Sequence, residues 1–185
     1  MKLAPLLLAL LLSPPLLATP AQPAKPAAAP QIHAVAGTPS TSLRISGAVK
    51  APADFDVAAL KKMVPRNTGP MDVVCASGAT VGKANNFRGV RLTDVLDRVG
   101  IDVGGHKDGR RMVVVARATD GYVVTFSWNE LYNTPIGSQV LVAWEKDGKP
   151  LEAGEGQLLL ISGKDTKTGP RHVRWLSEIE VVRMK

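Results

Sequence analysis

Hydrophobic positions follow two regimes along the chain. From Leu3 to Leu17 apolar residues run almost unbroken, whereas beyond residue 40 they recur in short groups separated by glycine, proline and charged residues. In the second region Leu43, Ile45 and Val49 predict a first strand, and Asp56 is placed to cap a short helix carrying Val57, Leu60 and Val64 that ends at Pro65. Met71 to Ala76 reads as a strand leading into a loop through Ser77, Gly78 and Gly82, with Cys75 at its end. Leu92, Val95, Leu96 and Val99 keep the 3.6-residue period of a buried helix face, and Gly100 stands where such a helix stops. Met112 to Ala118 and Tyr122 to Phe126 flank Asp120-Gly121, which predicts a hairpin. Ser127 and Glu130 have capping-box spacing for a brief helix through Trp128 and Leu131. Val140 to Trp144 and Gln157 to Ile161 predict strands around the Asp147-Gly148 turn, and Val173 to Leu176 with Ile179 to Val182 predict the last two. The sum is an α+β domain of mixed or antiparallel sheets with short helices.

The early apolar run needs a different explanation. Met1-Lys2, the stretch to Leu17 and the small residues of Thr19-Pro20-Ala21 have the layout of a secretory signal peptide, with Pro14 and Pro15 unsuited to a membrane helix. The expected organisation is a signal peptide over 1–21, a Pro/Ala-rich linker over 22–40 and a folded domain over 41–185, with the mature chain starting at Gln22. This implies a periplasmic or secreted protein with no membrane association after cleavage. The single Lys2 and the lack of an arginine pair point to export of an unfolded chain.

Composition narrows the chemistry mostly by exclusion. The formal charge is +7, so anionic partners are favoured, but aromatics make up only 4% and offer no base-stacking platform, so nucleic acid is not expected. One cysteine rules out an internal disulfide and leaves Cys75 as a structural residue, a reactive thiol or a lone ligand. Gly78 to Lys83 imitates a phosphate-binding loop but is one residue short between its glycines, and Ala84 stands where a hydroxyl is needed. His33, His106 and His172 share no zinc-ligand spacing with Cys75, and no nucleophile-elbow pattern occurs.

The informative stretch is Gly169-Pro170-Arg171-His172-Val173-Arg174-Trp175-Leu176, where Arg171 and Arg174 flank a turn entering a strand and could together hold a phosphate. This segment resembles the Gly-x-Arg-x-Val-Lys-Trp-Leu segment near the end of the sulfite-oxidase-like molybdopterin-binding domain, with Arg174 in place of the Lys. Phe87 to Leu92 before Asp94-Val95-Leu96, then Asp120-Gly121-Tyr122, then Val140 to Trp144 before Asp147 to Leu151 agree with that family in order. The resemblance implies a sulfite-oxidase-like fold and a molybdopterin (molybdenum cofactor) site, with Cys75 as the metal ligand and Arg171, His172 and Arg174 as contacts to the pterin phosphate. It implies a molybdenum-dependent oxidoreductase that meets a redox partner protein. Two departures favour the alternative of a cofactor-free binding module that keeps an anion groove for a small anionic ligand. Ala76-Ser77-Gly78 follows the cysteine where larger relatives have basic residues, and Glu155 stands where they have a histidine.

Overall fold

The computed structural model describes residues 38–105 and 107–185. The expected signal peptide, most of the expected linker, His33 and His106 lie outside the described residues. In chain order the elements are β1 (Ser42–Gly47), β2 (Ala53–Asp56), α1 (Val57–Lys61), β3 (Arg66–Asn67), β4 (Met71–Val74), β5 (Thr80–Ala84), β6 (Phe87–Arg91), α2 (Leu92–Val99), β7 (Met112–Ala118), β8 (Val123–Ser127), α3 (Trp128–Asn133), β9 (Val140–Lys146), β10 (Lys149–Pro150), β11 (Leu159–Ser162) and β12 (Leu176–Arg183). The expected α+β class is correct, with short helices set among sheets.

One sheet runs β2-β1-β12-β7-β8, and only its β1–β12 pairing is parallel. A second runs β10-β9-β6-β3 with β11 added beside β9, and β4 and β5 form a separate two-stranded ribbon. The apolar runs of β9 and β11 follow from burial on both faces. Val140, Val142, Trp144, Leu158 and Leu160 enter the main core beneath the first sheet and α2, while Leu141, Ala143, Leu159 and Ile161 pack with Phe87 on the other side. Helix α2 sends Leu92, Val95, Leu96 and Val99 into the main core as its periodicity requires, and Gly100 ends it at φ 69°.

Local signals hold where they rest on hydrogen bonds. The Asp56 side chain accepts from the Ala59 N–H at 2.6 Å, and Ser127 and Glu130 form the reciprocal capping box. Four expectations need correction. Gly82 lies inside β5 rather than in a loop, and β6 was not anticipated as a strand. Val64 lies beyond α1 and is 63% exposed. The two expected C-terminal strands are one, because Val173 makes only an isolated bridge to Leu160 and Trp175 breaks the chain direction at φ 47°. At the front edge Ser40 is already docked, its buried hydroxyl donating to the Leu176 carbonyl at 2.5 Å. Among the described residues no helix is long and apolar enough to cross a membrane.

Candidate functional site

The segment after β11 sorts its charged residues by backbone conformation. Gly169–Arg171 is a 3-10 turn, and the chain then extends so that Val173 bridges Leu160 through backbone bonds of 2.8 and 2.9 Å. Alternation in extended chain sends Val173 into the core and His172 and Arg174 to the opposite side. Trp175 closes the segment. Its backbone N–H donates to the Glu155 carbonyl and its indole N–H to the Ala153 carbonyl, both near 3.0 Å. Gly156 beneath it, at φ 84°, has no room for a side chain, since a Cβ would come within 2.8 Å of the indole.

The opposing wall is the β4–β5 ribbon. Cys75 follows β4 in a tight turn, its N–H donating to the Ala79 carbonyl and its carbonyl accepting from Gly78. The ribbon is tied to the other wall by Thr168, whose hydroxyl accepts from the Val74 N–H at 3.0 Å and donates to the Asp72 carbonyl at 2.7 Å. Lys167 adds a bond to the Ala76 carbonyl. Gly169 allows the walls to abut, because a Cβ there would lie 2.8 Å from the Val74 carbonyl oxygen.

Between these walls opens a cleft of about 530 Å³ onto which Cys75, His172 and Arg174 converge, with Val81, Tyr122 and Trp175 supplying apolar and aromatic surface. The volume suits a small organic ligand. Cys75 is half-buried with a free thiol, and Arg174 is exposed with no carboxylate in ion-pair range among the described residues. His172 is the most informative group. Both ring nitrogens are buried without a hydrogen-bond partner among the described residues, and the ring meets Phe87 edge-on at 5.7 Å. Burial, reinforced by the Arg174 charge, pushes its pKa down to about 4, so the imidazole is neutral at physiological pH. A neutral imidazole with both nitrogens unpaired can donate one hydrogen bond and accept another.

Arg171 lies elsewhere. Its guanidinium donates from Nε and Nη2 to the two Asp165 carboxylate oxygens at 2.6 and 2.5 Å, and from Nη1 to Glu130 at 3.0 Å. It also stacks over the Phe126 ring at 4.3 Å. Of the expected arginine pair, only Arg174 reaches the cleft, because the two residues straddle the change from turn to extended chain. Glu155, which stands where larger relatives have a histidine, does not line the cleft. It is 9% exposed, with Oε1 accepting from Lys146 Nζ at 3.0 Å, while Lys146 also lies over Phe87.

Sequence reasoning did not single out Tyr122 and Trp175 as lining residues, although both fall in stretches quoted for the resemblance. Tyr122 follows the hairpin turn and donates its hydroxyl proton to the Pro170 carbonyl at 2.8 Å, which explains why the Asp120-Gly121-Tyr122 stretch belongs with the site. Thr168, Asp165 and the second role of Glu130 carried no sequence signal.

The donor set can be tested against the group that the resemblance implies. A polarisable thiol, an unpartnered imidazole and one free guanidinium on a single cleft fit an anionic, heteroatom-rich cofactor that brings a soft metal. Among the described residues no three His, Cys, Asp or Glu side chains gather to hold a metal ion by themselves. A metal in this cleft would therefore need further ligands beyond the described residues, such as those of a non-protein group.

The structure is similar to the sulfane dehydrogenase SoxCD from Paracoccus pantotrophus, with a TM-score of 0.58 and 17% sequence identity over 76% of this chain. This chain covers 37% of the SoxCD chain, so it corresponds to well under half of that protein. No curated protein matches the sequence. The sequence profile described as oxidoreductase molybdopterin binding domain matches residues 29–185, and the chain belongs to that family.

Proposed function

We propose that the protein is an exported, molybdenum-dependent oxidoreductase of the sulfite-oxidase type, with the Cys75 cleft as its site. The observation that carries this reading is the convergence of Cys75, His172 and Arg174 on one cleft, with both nitrogens of His172 buried and unpartnered. In a close-packed interior such groups normally find partners, so their isolation points to a ligand that supplies the bonds. Cys75 would hold the metal, Arg174 would face the anionic part of the cofactor, and His172 would donate and accept at its polar ring atoms. The cofactor, when bound, supplies two-electron redox chemistry with oxygen-atom transfer. The chain's own part is to orient it and, through Trp175, Tyr122 and Val81, to keep water from one side of the cleft. A redox partner protein would take up or deliver the electrons.

A second reading, a cofactor-free binding module, is favoured by a specific observation. Arg171 is engaged by two carboxylates, so one guanidinium rather than two faces the cleft. The expected export of an unfolded chain favours it too, because a domain wrapped around a bulky cofactor must fold before it crosses a membrane. Elemental analysis separates the two. Protein purified from a host that makes the cofactor is expected to contain close to one molybdenum per chain, and Cys75→Ser is expected to lose the metal and turnover while keeping the thermal midpoint of metal-free wild-type protein. Metal-free wild-type protein, with a thiol that reagents do not label, would establish the binding module instead.

A further inference from the structure

A second cleft, of about 480 Å³, lies between α1, the segment leading to β3, and α2. Its floor and lip are apolar, formed by Phe55, Met63 and Val64, and its rim carries Lys62, Arg66 and Arg98. Phe55 is 8% exposed and Val64 is 63% exposed on the lip, so apolar surface runs from the floor of the cleft to its edge. The three rim cations are exposed, and none has a carboxylate within ion-pair distance among the described residues. They stand on different elements, so local helix pairing does not account for them. Arg91 also lines the cleft but is held by Asp94 through bonds of 3.1 and 2.7 Å.

We propose that this cleft docks an acidic segment of a partner protein, one that presents an apolar side chain between carboxylates. The anatomy is that of a protein interface, with an apolar, aromatic and methionine centre inside a polar rim rich in arginine. The chain's own expected linker is a poor occupant, since residues 22–40 contain Lys25 and no Asp or Glu. A membrane surface is a poor one as well. Only Val64 is exposed, while Phe55 and Met63 are more buried, so the cleft offers a pocket for one protruding side chain, whereas insertion into lipid requires several exposed apolar residues on one face. This site does not depend on the cofactor reading of the Cys75 cleft.

The test is fluorescence anisotropy with the full chain and a labelled short peptide carrying a central Leu-Phe pair between Asp and Glu residues. The peptide is expected to bind, with an affinity that falls as salt rises. Arg66→Glu/Arg98→Glu is expected to weaken binding roughly tenfold or more, since each exposed ion pair is lost and replaced by a repulsion. Arg110→Glu, a single charge reversal of the same kind on the 3-10 turn before β7, should leave affinity within about twofold, whereas Arg66→Glu alone should weaken it by more than that. Val64→Ser, which adds no charge, should weaken binding through the lip alone, and because Val64 is exposed it should leave the melting temperature unchanged. Several results would overturn the proposal: no binding of the peptide, equal binding by the double variant, an equal loss in Arg110→Glu, capture by phosphatidylglycerol vesicles in place of the peptide, or self-association through this face.

Discussion

The two walls of the Cys75 cleft are built in opposite ways. The His172 wall is continuous with the main core. Val173 and Leu176 are fully buried, Arg171 is clamped by Asp165 and Glu130, and Trp175 is fixed by three backbone or indole bonds. The Cys75 wall is a two-stranded ribbon that joins neither large sheet, exposes Val81 at 62%, and depends on Thr168 for its attachment. Isolated hairpins are marginal in water. Stability and candidate chemistry are therefore distributed unequally: one wall provides a rigid reference surface, and the other brings a thiol that can adjust to what it binds.

This contrast is broken most directly through the two arginines. The bare sequence makes Arg171 and Arg174 equivalent members of an anion clamp, so that replacing either should leave folding intact. Arg171 is 19% exposed in its side chain and Asp165 10%, and removing the cation would strand a largely buried carboxylate. Arg171→Gln is accordingly expected to cost about 3 kcal/mol in denaturant unfolding, whereas Arg174→Gln stays within about half a kcal/mol. Glu130 belongs to the same clamp. Burial pulls its pKa upward, but the Ser127 backbone bond and Arg171 outweigh this and hold it below the usual carboxylate range. Equal, small effects of the two substitutions would show that the Arg171 cluster does not brace the wall.

The same residues show how far the sequence carries. Elements with strong local signals were legible: the α2 stripe, the Asp120-Gly121 hairpin and the Ser127–Glu130 capping box all form as expected. Strand β6 was missed because its register shifts between Arg88 and Gly89, which spoils the two-residue alternation that marks a strand. Strand β5 was missed because it pairs only within the ribbon and buries little. Within the site, Cys75, His172 and Arg174 could be picked out because they fall in motifs. The fate of Arg171 could not, because Asp165 lies in an irregular loop and Glu130 is distant in sequence, with one carboxylate oxygen on the cap and the other on the guanidinium. Nor does spacing reveal that the nitrogens of His172 have no partner, since that depends on how Phe87 and the segment after β11 meet.

The His172 wall is sharpened by pH. The unfolded chain takes up a proton on this histidine near 6.5, whereas the folded state does so only at about 4. Between those values the unfolded state holds more protons, so stability falls as the medium is acidified through this window, by about 3 kcal/mol in total. Above pH 6.5 the contribution is constant. Denaturant midpoints measured from pH 7 to pH 4 should show this decline in the wild type and a markedly shallower one in His172→Gln. Identical profiles would mean that the imidazole is solvated. An anionic ligand in the cleft should oppose the decline, because negative charge beside the ring stabilises its protonated form.

The smallest effect tests the other wall. Thr168 is 5% exposed and its hydroxyl joins Val74 and Asp72 to the segment that leads into the Gly169 turn. Thr168→Val keeps the shape but removes both bonds and leaves a backbone N–H and a carbonyl of the ribbon without partners, at a cost of about 1–2 kcal/mol. Because the ribbon packs little surface against the core, that loss should appear as local opening before it appears as global unfolding. Hydrogen exchange is therefore the measurement. Amides of residues 71–84 should exchange roughly tenfold faster in the variant, as 1.4 kcal/mol corresponds to a factor of ten, while β7 and β12 keep their wild-type protection. The Cys75 thiol should become more reactive in step with those amides, since the same opening exposes both. If exchange rises equally in β7 and β12, the ribbon is part of the cooperative core, and the two walls of the cleft are equally rigid.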